Sequence, residues 1–329
     1  MATSTGSGDY DVVVGPYNAN ASTIIATGHT VTLTDNVTGN NFFQIQAGAT
    51  LVGGGFSITV DNESSSDLTF LNAGTISGVL DVIITNPNGV AAIDFTGEGG
   101  NVRNLTINHA SCVATIQDNT TLDGDLTITA GELNTKSGSN HALTVTGDVS
   151  VTGTLTGNAS AVSLGSLTIN SGGTYSATSG TTTITGIESG ASRSVLNSGT
   201  LTHNSGTFLF NGDMDQKIST NSTGRFNNIT LNKSNNDFVF IDSSTTVEGN
   251  LDITMGDNTR QCRPSSTSGT ITVLGNVIVR EGIMLRSAND CSGNMEFGGL
   301  ILESGGIYGT TSGTTKINGA LRNIGGTIN

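Results

Sequence analysis

The chain reads as an all-β protein, a single-stranded parallel β-solenoid, on three observations. Its hydrophobic residues, 34% of the total, fall in alternating runs such as LTVTGDVSVTGTLTG, and no segment carries helical periodicity. Its 46 glycines, with Asn, Asp and Ser, punctuate these runs at short intervals, while prolines number only 3. The third observation is that one stretch is written twice. Leu167–Gly186 returns without a gap as Leu300–Gly319, 133 residues on, matching at Ser171/Ser304, Gly172/Gly305, Gly173/Gly306, Tyr175/Tyr308, Ser179/Ser312, Gly180/Gly313, Ile184/Ile317 and Gly186/Gly319. A pattern that recurs at fixed offset marks a repeat architecture.

Residues 1–45 are the least repetitive part. Short strands are expected at Asp11–Val14, Thr30–Thr34 and Phe42–Ile45, and the segment is expected to cap the solenoid, since an uncovered sheet end exposes unpaired backbone and apolar core. Residues 46–329 form the solenoid. Strand openings recur as Gly124-Asp-Leu-Thr-Ile, Gly147-Asp-Val-Ser-Val, Gly165-Ser-Leu-Thr-Ile, Gly249-Asn-Leu-Asp-Ile, Gly275-Asn-Val-Ile-Val and Gly299-Leu-Ile-Leu, which sets a coil of roughly 18–26 residues. A longer repeat joins residues 95–210 to 210–329. Asn104/Asn228, Gly124/Gly249 and Gly147/Gly275 match at offsets of 124, 125 and 128, drifting upward as turns lengthen. The second copy breaks off at Gly326-Thr-Ile-Asn329, within a strand unit that the first continues beyond Gly199-Thr-Leu-Thr202. A fragment, or an end covered by another chain or domain, is therefore expected.

Within one coil, alternation along Leu126-Thr-Ile-Thr points Leu and Ile to one side and Thr to the other. Stacking buries the apolar side in an interior column and leaves threonine, well suited to strands, outside. Phe208, Phe210, Phe238 and Phe240 are expected to fill that interior. Gly and Asn supply the positive-φ corners. The handedness is taken as right-handed from the crossover rule for parallel strands.

Charge narrows the partners. The net charge of −14, with 4 Lys and 8 Arg scattered along the chain, excludes a nucleic-acid surface. No apolar run is long enough for a membrane helix. The N-terminus has neither the basic nor the apolar region of a secretory signal, so either a signal was removed or the protein leaves its cell by another route, such as lysis.

Candidate chemistry is sparse. Cys112 is expected to be a small interior residue. Cys262 and Cys291 fall in the two turn insertions TRQCRPSSTSG and SANDCSGN, 29 residues apart, where a disulfide between adjacent coils and two separate thiols are both open. Asn211-Gly-Asp213-Met-Asp215 places carboxylates in a turn as a calcium site would, but a solvated turn fits as well. His29, His109, His141 and His203 show no ligand spacing, so no metal or cofactor is expected. Glycosidases and lyases on this fold need converging carboxylates. Asp123/Asp125 and Glu248/Asp252 occupy equivalent places in two repeats, which points to a role in the turn and away from catalysis. The Asn-x-Ser/Thr triplets at Asn20, Asn36, Asn62, Asn104, Asn119, Asn158, Asn221 and Asn228 follow from composition alone.

The strings GDLTI, LTVTGDVSVTGTLTG and NSGTLTHNSGTFLFNG resemble the β-helical repeats of phage virion proteins, particularly fibre and appendage proteins of marine phages, and those of bacterial surface β-solenoids. The resemblance spans residues 46–329. It implies a non-enzymatic fibre or decoration component of a virion, located on the virion or outside the cell. Its implied partners are other virion or surface proteins, further copies of itself, or a host-surface glycan. A bacterial adhesin or filament subunit, or a β-helix polysaccharide lyase or glycosidase, are the alternatives. The turn insertions around Cys262 and Cys291 are the expected binding surface.

Overall fold

The computed structural model describes residues 2–3, 6–10, 22–61, 68–87, 89–95, 102–136, 138–191, 193–220, 224–233, 239–241, 245–256, 261–264, 270–284, 294–309 and 313–329. Among them every regular element is a strand, and the strands pair in parallel to form a β-solenoid. The chain divides into two compact units, Met1–Ala161 and Val162–Asn329.

In the first unit the expected alternation becomes two interior columns. Ile58, Val82, Leu105, Leu126 and Val149 stand in register on successive coils, and Val60, Ile84, Ile107, Ile128 and Val151 stand beside them. All ten are buried. Between the columns, facing outward, run Thr59, Ile83, Thr106, Thr127 and Ser150. Each interior Leu, Ile or Val withdrawn from water contributes about 1.5–3 kcal/mol, and because each coil covers only its neighbours the stability accumulates coil by coil.

The described strands within residues 1–45 follow the same plan. Ala2–Thr3 pairs with Ser22–Ile25, which pairs in parallel with Phe42–Ile45, and that strand pairs with Leu68–Asn72. Gly8–Tyr10, Thr30–Leu33, Thr50–Val52 and Thr75–Ser77 form a second parallel ladder. The expected strand Asp11–Val14 lies outside the described residues.

The second unit carries a longer interior column, Val162, Thr182, Phe208, Ile229, Leu251, Val277 and Leu300, with the exposed Leu321 in register after it. Its one hydroxyl, on Thr182, is paired with the Tyr175 hydroxyl at 2.8 Å. The second copy repeats this bond, Tyr308 donating to Thr315 Oγ1 at 2.7 Å. Both tyrosines are buried and pack edge-on against phenylalanine, Tyr175 on Phe208 and Tyr308 on Phe297, each with ring centres 6.3 Å apart. Burial pushes the Tyr175 phenol up to about 12, so it stays protonated beside the Thr182 hydroxyl. Phe208 and Phe210 are interior as expected. In the strand Val239–Ile241, the interior positions belong to Val239 and Ile241. Phe238 and the Phe240 side chain lie outside what is described. A shift of one residue exchanges the two faces of a strand, and FVFI offers an apolar residue in either frame.

The recurrent Gly-Asp/Asn opening has a specific cause. The Asn104 carboxamide oxygen accepts the Asp125 backbone N–H at 2.7 Å, and an Asp125 carboxylate oxygen accepts the Asp148 N–H at 2.8 Å. In the second copy Asn228 accepts from Asn250 at 2.9 Å, and Asn250 accepts from Asn276 at 2.8 Å. Each side chain thus reaches over the preceding residue of the next coil, where only glycine leaves room. A Cβ at Gly147 would stand 2.2 Å from Asp125 Oδ1, and one at Gly249 would stand 2.2 Å from Asn228 Oδ1.

Candidate functional site

The residues singled out for chemistry resolve into three groups. The first is the acidic turn Asn211–Asp215. Its interior is filled by the ammonium of Lys233, which is only 1% exposed. Lys233 lies just after the strand Asn228–Asn232, which pairs with Thr207–Phe210 and so carries the lysine back beneath the turn. Its Nζ donates to the carbonyl of Gly212 at 2.5 Å, to that of Met214 at 2.6 Å, and to Gln216 Oε1 at 3.1 Å. Gln216 extends the network, donating from Nε2 to the Ile184 carbonyl at 3.0 Å and accepting the Gly212 N–H at 3.3 Å. Oxygens converge here as they would around a cation, but the cation is a side chain of the protein. Burying a charge costs several kcal/mol unless it is hydrogen-bonded, and three oxygens meet that need. No local pattern announces this contact, because Lys233 is 18 residues beyond Asp215 and sits among polar residues.

The second group is a cluster spanning three coils. His203 Nδ1 accepts the Ser205 backbone N–H at 3.0 Å. That bond leaves Nε2 as the protonated nitrogen of the neutral ring, and it faces Glu248 Oε2 at 3.2 Å. Arg225 Nη1 donates to the other carboxylate oxygen at 3.0 Å. The hydrogen bond from Arg225, more than the contact with His203, holds the Glu248 carboxyl below its ordinary value. The adjoining turn is held tightly: Asn204 and Ser205 have φ of 47° and 62°, and Asn204 Nδ2 donates to the Ala177 carbonyl at 2.7 Å.

Ion pairs between coils make up the third group. Arg280 grips Asp252 through Nε at 2.9 Å and Nη2 at 2.9 Å, and reaches Glu303 through Nη1 at 2.8 Å. Arg103 makes the same two-pronged contact with Asp81, at 2.9 and 2.6 Å. Of the carboxylates at equivalent repeat positions, Asp125 accepts a backbone N–H, Glu248 joins Arg225 and His203, and Asp252 joins Arg280. The Asp123 backbone N–H donates to the Val102 carbonyl at 3.2 Å.

Cys262 stands in the strand Gln261–Pro264 and faces the interior, in register between Val239 and Met284. It was expected in an exposed turn insertion, but the chain pairs as strand here and draws the small apolar thiol inward. Its thiol is free, as is that of Cys112, and both are buried. Burial pushes Cys262 up to about 12 and Cys112 up to about 11. Cys291 lies outside the described residues. Of the histidines, His109 accepts the Ser111 N–H at 3.2 Å and His141 lies 4.0 Å from Asp118. Among the described residues no group of three His, Cys, Asp or Glu is placed to hold a metal ion, and no helix is long and apolar enough to cross a membrane. Four of the Asn-x-Ser/Thr asparagines, Asn36, Asn104, Asn119 and Asn228, accept backbone N–H groups of the next coil.

No family model matches the sequence, and neither the curated proteins nor the solved structures contain a match to it.

Proposed function

We propose that this chain is a structural and recognition component, a β-solenoid serving as a fibre or decoration of a phage virion, with its turns available to a host surface. The supporting observation is the use to which the polar residues are put. Asp81, Asp125, Asp252 and Glu248 each bind a neighbouring coil, and Lys233 seals a turn from within. General acid–base chemistry on a glycan needs carboxylates facing substrate at a fixed separation, whereas these carboxylates tie one coil to the next, Asp125 through a backbone N–H and the other three through arginines. Such an arrangement suits a stiff spacer. A β-solenoid is compatible with a structural or fibre role, and the strings shared with virion β-helical repeats make the virion the favoured setting.

The test is to raise antibodies to the purified chain and label particles and cells from the source culture for electron microscopy. Gold on virion appendages is expected. Label confined to the bacterial surface would overturn the virion assignment in favour of an adhesin. Release of reducing or unsaturated sugars from a polysaccharide panel would overturn the structural one.

A further inference from the structure

The turn from His203 to Gly206 is held by a group that can change its charge. The His203 carbonyl accepts the Gly206 N–H at 2.9 Å, and the two residues between them, Asn204 and Ser205, have φ of 47° and 62°. Two successive positive φ values make a mirror-image tight turn, which glycine and asparagine enter readily and serine does not. Ser205 is the one serine with positive φ among the described residues. Its N–H is taken by the imidazole, Nδ1 accepting at 3.0 Å, in place of the oxygen by which an asparagine side chain bonds the backbone two residues on. His109 accepts the Ser111 N–H in the same way, at 3.2 Å. An amide oxygen keeps its lone pairs at every ordinary pH. A protonated imidazole has no acceptor left, because both ring nitrogens then carry hydrogen.

The surroundings decide which part yields. The other ring nitrogen faces Glu248 Oε2 at 3.2 Å, and Arg225 holds the second carboxylate oxygen at 3.0 Å. These are the charged groups on the coils packed against the ring. Residues 224–228 carry only Arg225 and residues 245–250 only Glu248. On the other side, residues 174–180 carry no charge, and the phenol of Tyr175 is buried and bonded to Thr182. Protonation strengthens the contact with the carboxylate, so the ring stays where it is. Its new Nδ1–H then meets the Ser205 N–H, donor against donor. Asn204 and Ser205 are exposed, so the turn is the partner free to move. Its remaining ties do not titrate: Asn204 Nδ2 donates to the Ala177 carbonyl at 2.7 Å and to Ser176 Oγ at 3.0 Å, and Asn227 Nδ2 donates to the Ser205 carbonyl at 2.7 Å. The release is therefore local and leaves the stacked coils in place.

We infer that protonation of His203 frees the Ser205 N–H and loosens the exposed Asn204–Ser205 turn, which makes this turn an acid-sensitive element of the solenoid surface. With the ring neutral, the turn presents one fixed shape. With the ring charged, it presents two unpaired donors, the imidazolium Nδ1–H and the Ser205 N–H, on a backbone that has lost one of its ties. The device is independent of the structural role proposed above, since it needs only these three coils.

Nuclear magnetic resonance of the isotope-labelled 329-residue chain, titrated from about pH 8 to about pH 5, tests it. As the His203 ring nitrogens titrate, the Ser205 amide should shift in the same step. Its protection against hydrogen exchange, corrected for the intrinsic effect of pH, should fall roughly five- to tenfold, the worth of one hydrogen bond. The Thr207 amide, which donates to the Gly180 carbonyl, should keep its protection throughout. His203→Asn offers the same N–H an acceptor that cannot titrate, so Ser205 should stay protected at both ends of the range. Glu248→Gln leaves an acceptor before Nε2 without the charge, and the step should then need roughly two- to fivefold more acid. A Ser205 amide that stays protected while the His203 ring charges overturns the inference. So does a loss of protection in acid that His203→Asn shares, which would place the sensitive group elsewhere. A step at unchanged pH in Glu248→Gln would overturn the account of why the turn, and not the ring, gives way.

Discussion

Replacing Lys233 by methionine keeps the side-chain stem in the interior and removes only the ammonium, so it isolates what that charge contributes. Three oxygens lose a donor: the carbonyls of Gly212 and Met214, at 2.5 and 2.6 Å, and Gln216 Oε1 at 3.1 Å. Hydrogen bonds to a charged group contribute about 1.5–3 kcal/mol each, and the buried ammonium costs several kcal/mol in lost hydration, so the two largely offset. What decides the sign is the groups left behind. Gln216 Oε1 retains the Gly212 N–H, and the Met214 carbonyl is only partly buried and can be rehydrated. The Gly212 carbonyl is buried, and an orphaned buried acceptor costs about 1–3 kcal/mol. Lys233→Met should therefore lower stability by about 1–3 kcal/mol, seen as a lower denaturant midpoint at unchanged slope. The double variant with Gln216→Leu should show coupling, the second change costing less once the lysine is gone. If Lys233→Met is as stable as the parent, or the two changes add independently, the ammonium does not organise this turn.

The remaining outcomes concern the corners, the thiols and the acid limb. Gly206→Ala should destabilise more than Gly249→Ala, by denaturant midpoint. The new Cβ at Gly206 would lie 2.1 Å from the Thr178 backbone oxygen, whereas at Gly249 it meets the movable Asn228 side chain at 2.2 Å; equal costs would mean the corners yield as readily as side chains do. Cys112 and Cys262 should resist alkylation at neutral pH until the chain is unfolded, because burial raises both thiols to about 11 and about 12; peptide mapping that finds either labelled in the native protein would contradict their interior placement. Glu248, held below its ordinary 4.5 chiefly by Arg225, contributes stability that is present above that value and lost as pH falls through its lowered one. Arg225→Gln should remove part of that acid-limb dependence, by less than about 1 kcal/mol because the pair is solvent-screened, and an unchanged pH–stability profile would show the pair to be idle.

The fold was legible because the solenoid is written in local, periodic terms. The alternation in Leu126-Thr-Ile-Thr and the Gly-Asp/Asn openings each follow from one strand and one corner, and the structure uses them as the pattern implies. The exceptions arise where local pattern underdetermines the face. Cys262 looked like part of a turn because Arg, Gln and Pro surround it, yet strand pairing between Val239 and Met284 draws it inward. The polar clusters were the least legible. Lys233 in the acidic turn and His203 beside Glu248 are brought together only by stacking, 17 and 45 residues from the partners they meet. That separation is set by coil length, which the turn insertions vary. The equivalence of Asp125 and Asn250, by contrast, was visible at once, and the two bonds they accept confirm that the repeat is one of hydrogen bonding as well as of composition.

The asparagine and aspartate bonds across coils have a consequence for how such a gene can change. Every lock joins an acceptor on one coil to the same position on the next, as Asn104 to Asp125 and Asn228 to Asn250 do. No lock depends on which particular coil supplies either half. A recombination that cuts at one of these glycine corners and rejoins at another therefore creates a junction whose donor, acceptor and clearance are already correct. Length becomes a heritable variable that a single unequal crossover can alter, while an exchange made elsewhere in the coil would break the register it inherits. The gapless correspondence of Leu167–Gly186 with Leu300–Gly319 is what such an exchange would leave behind.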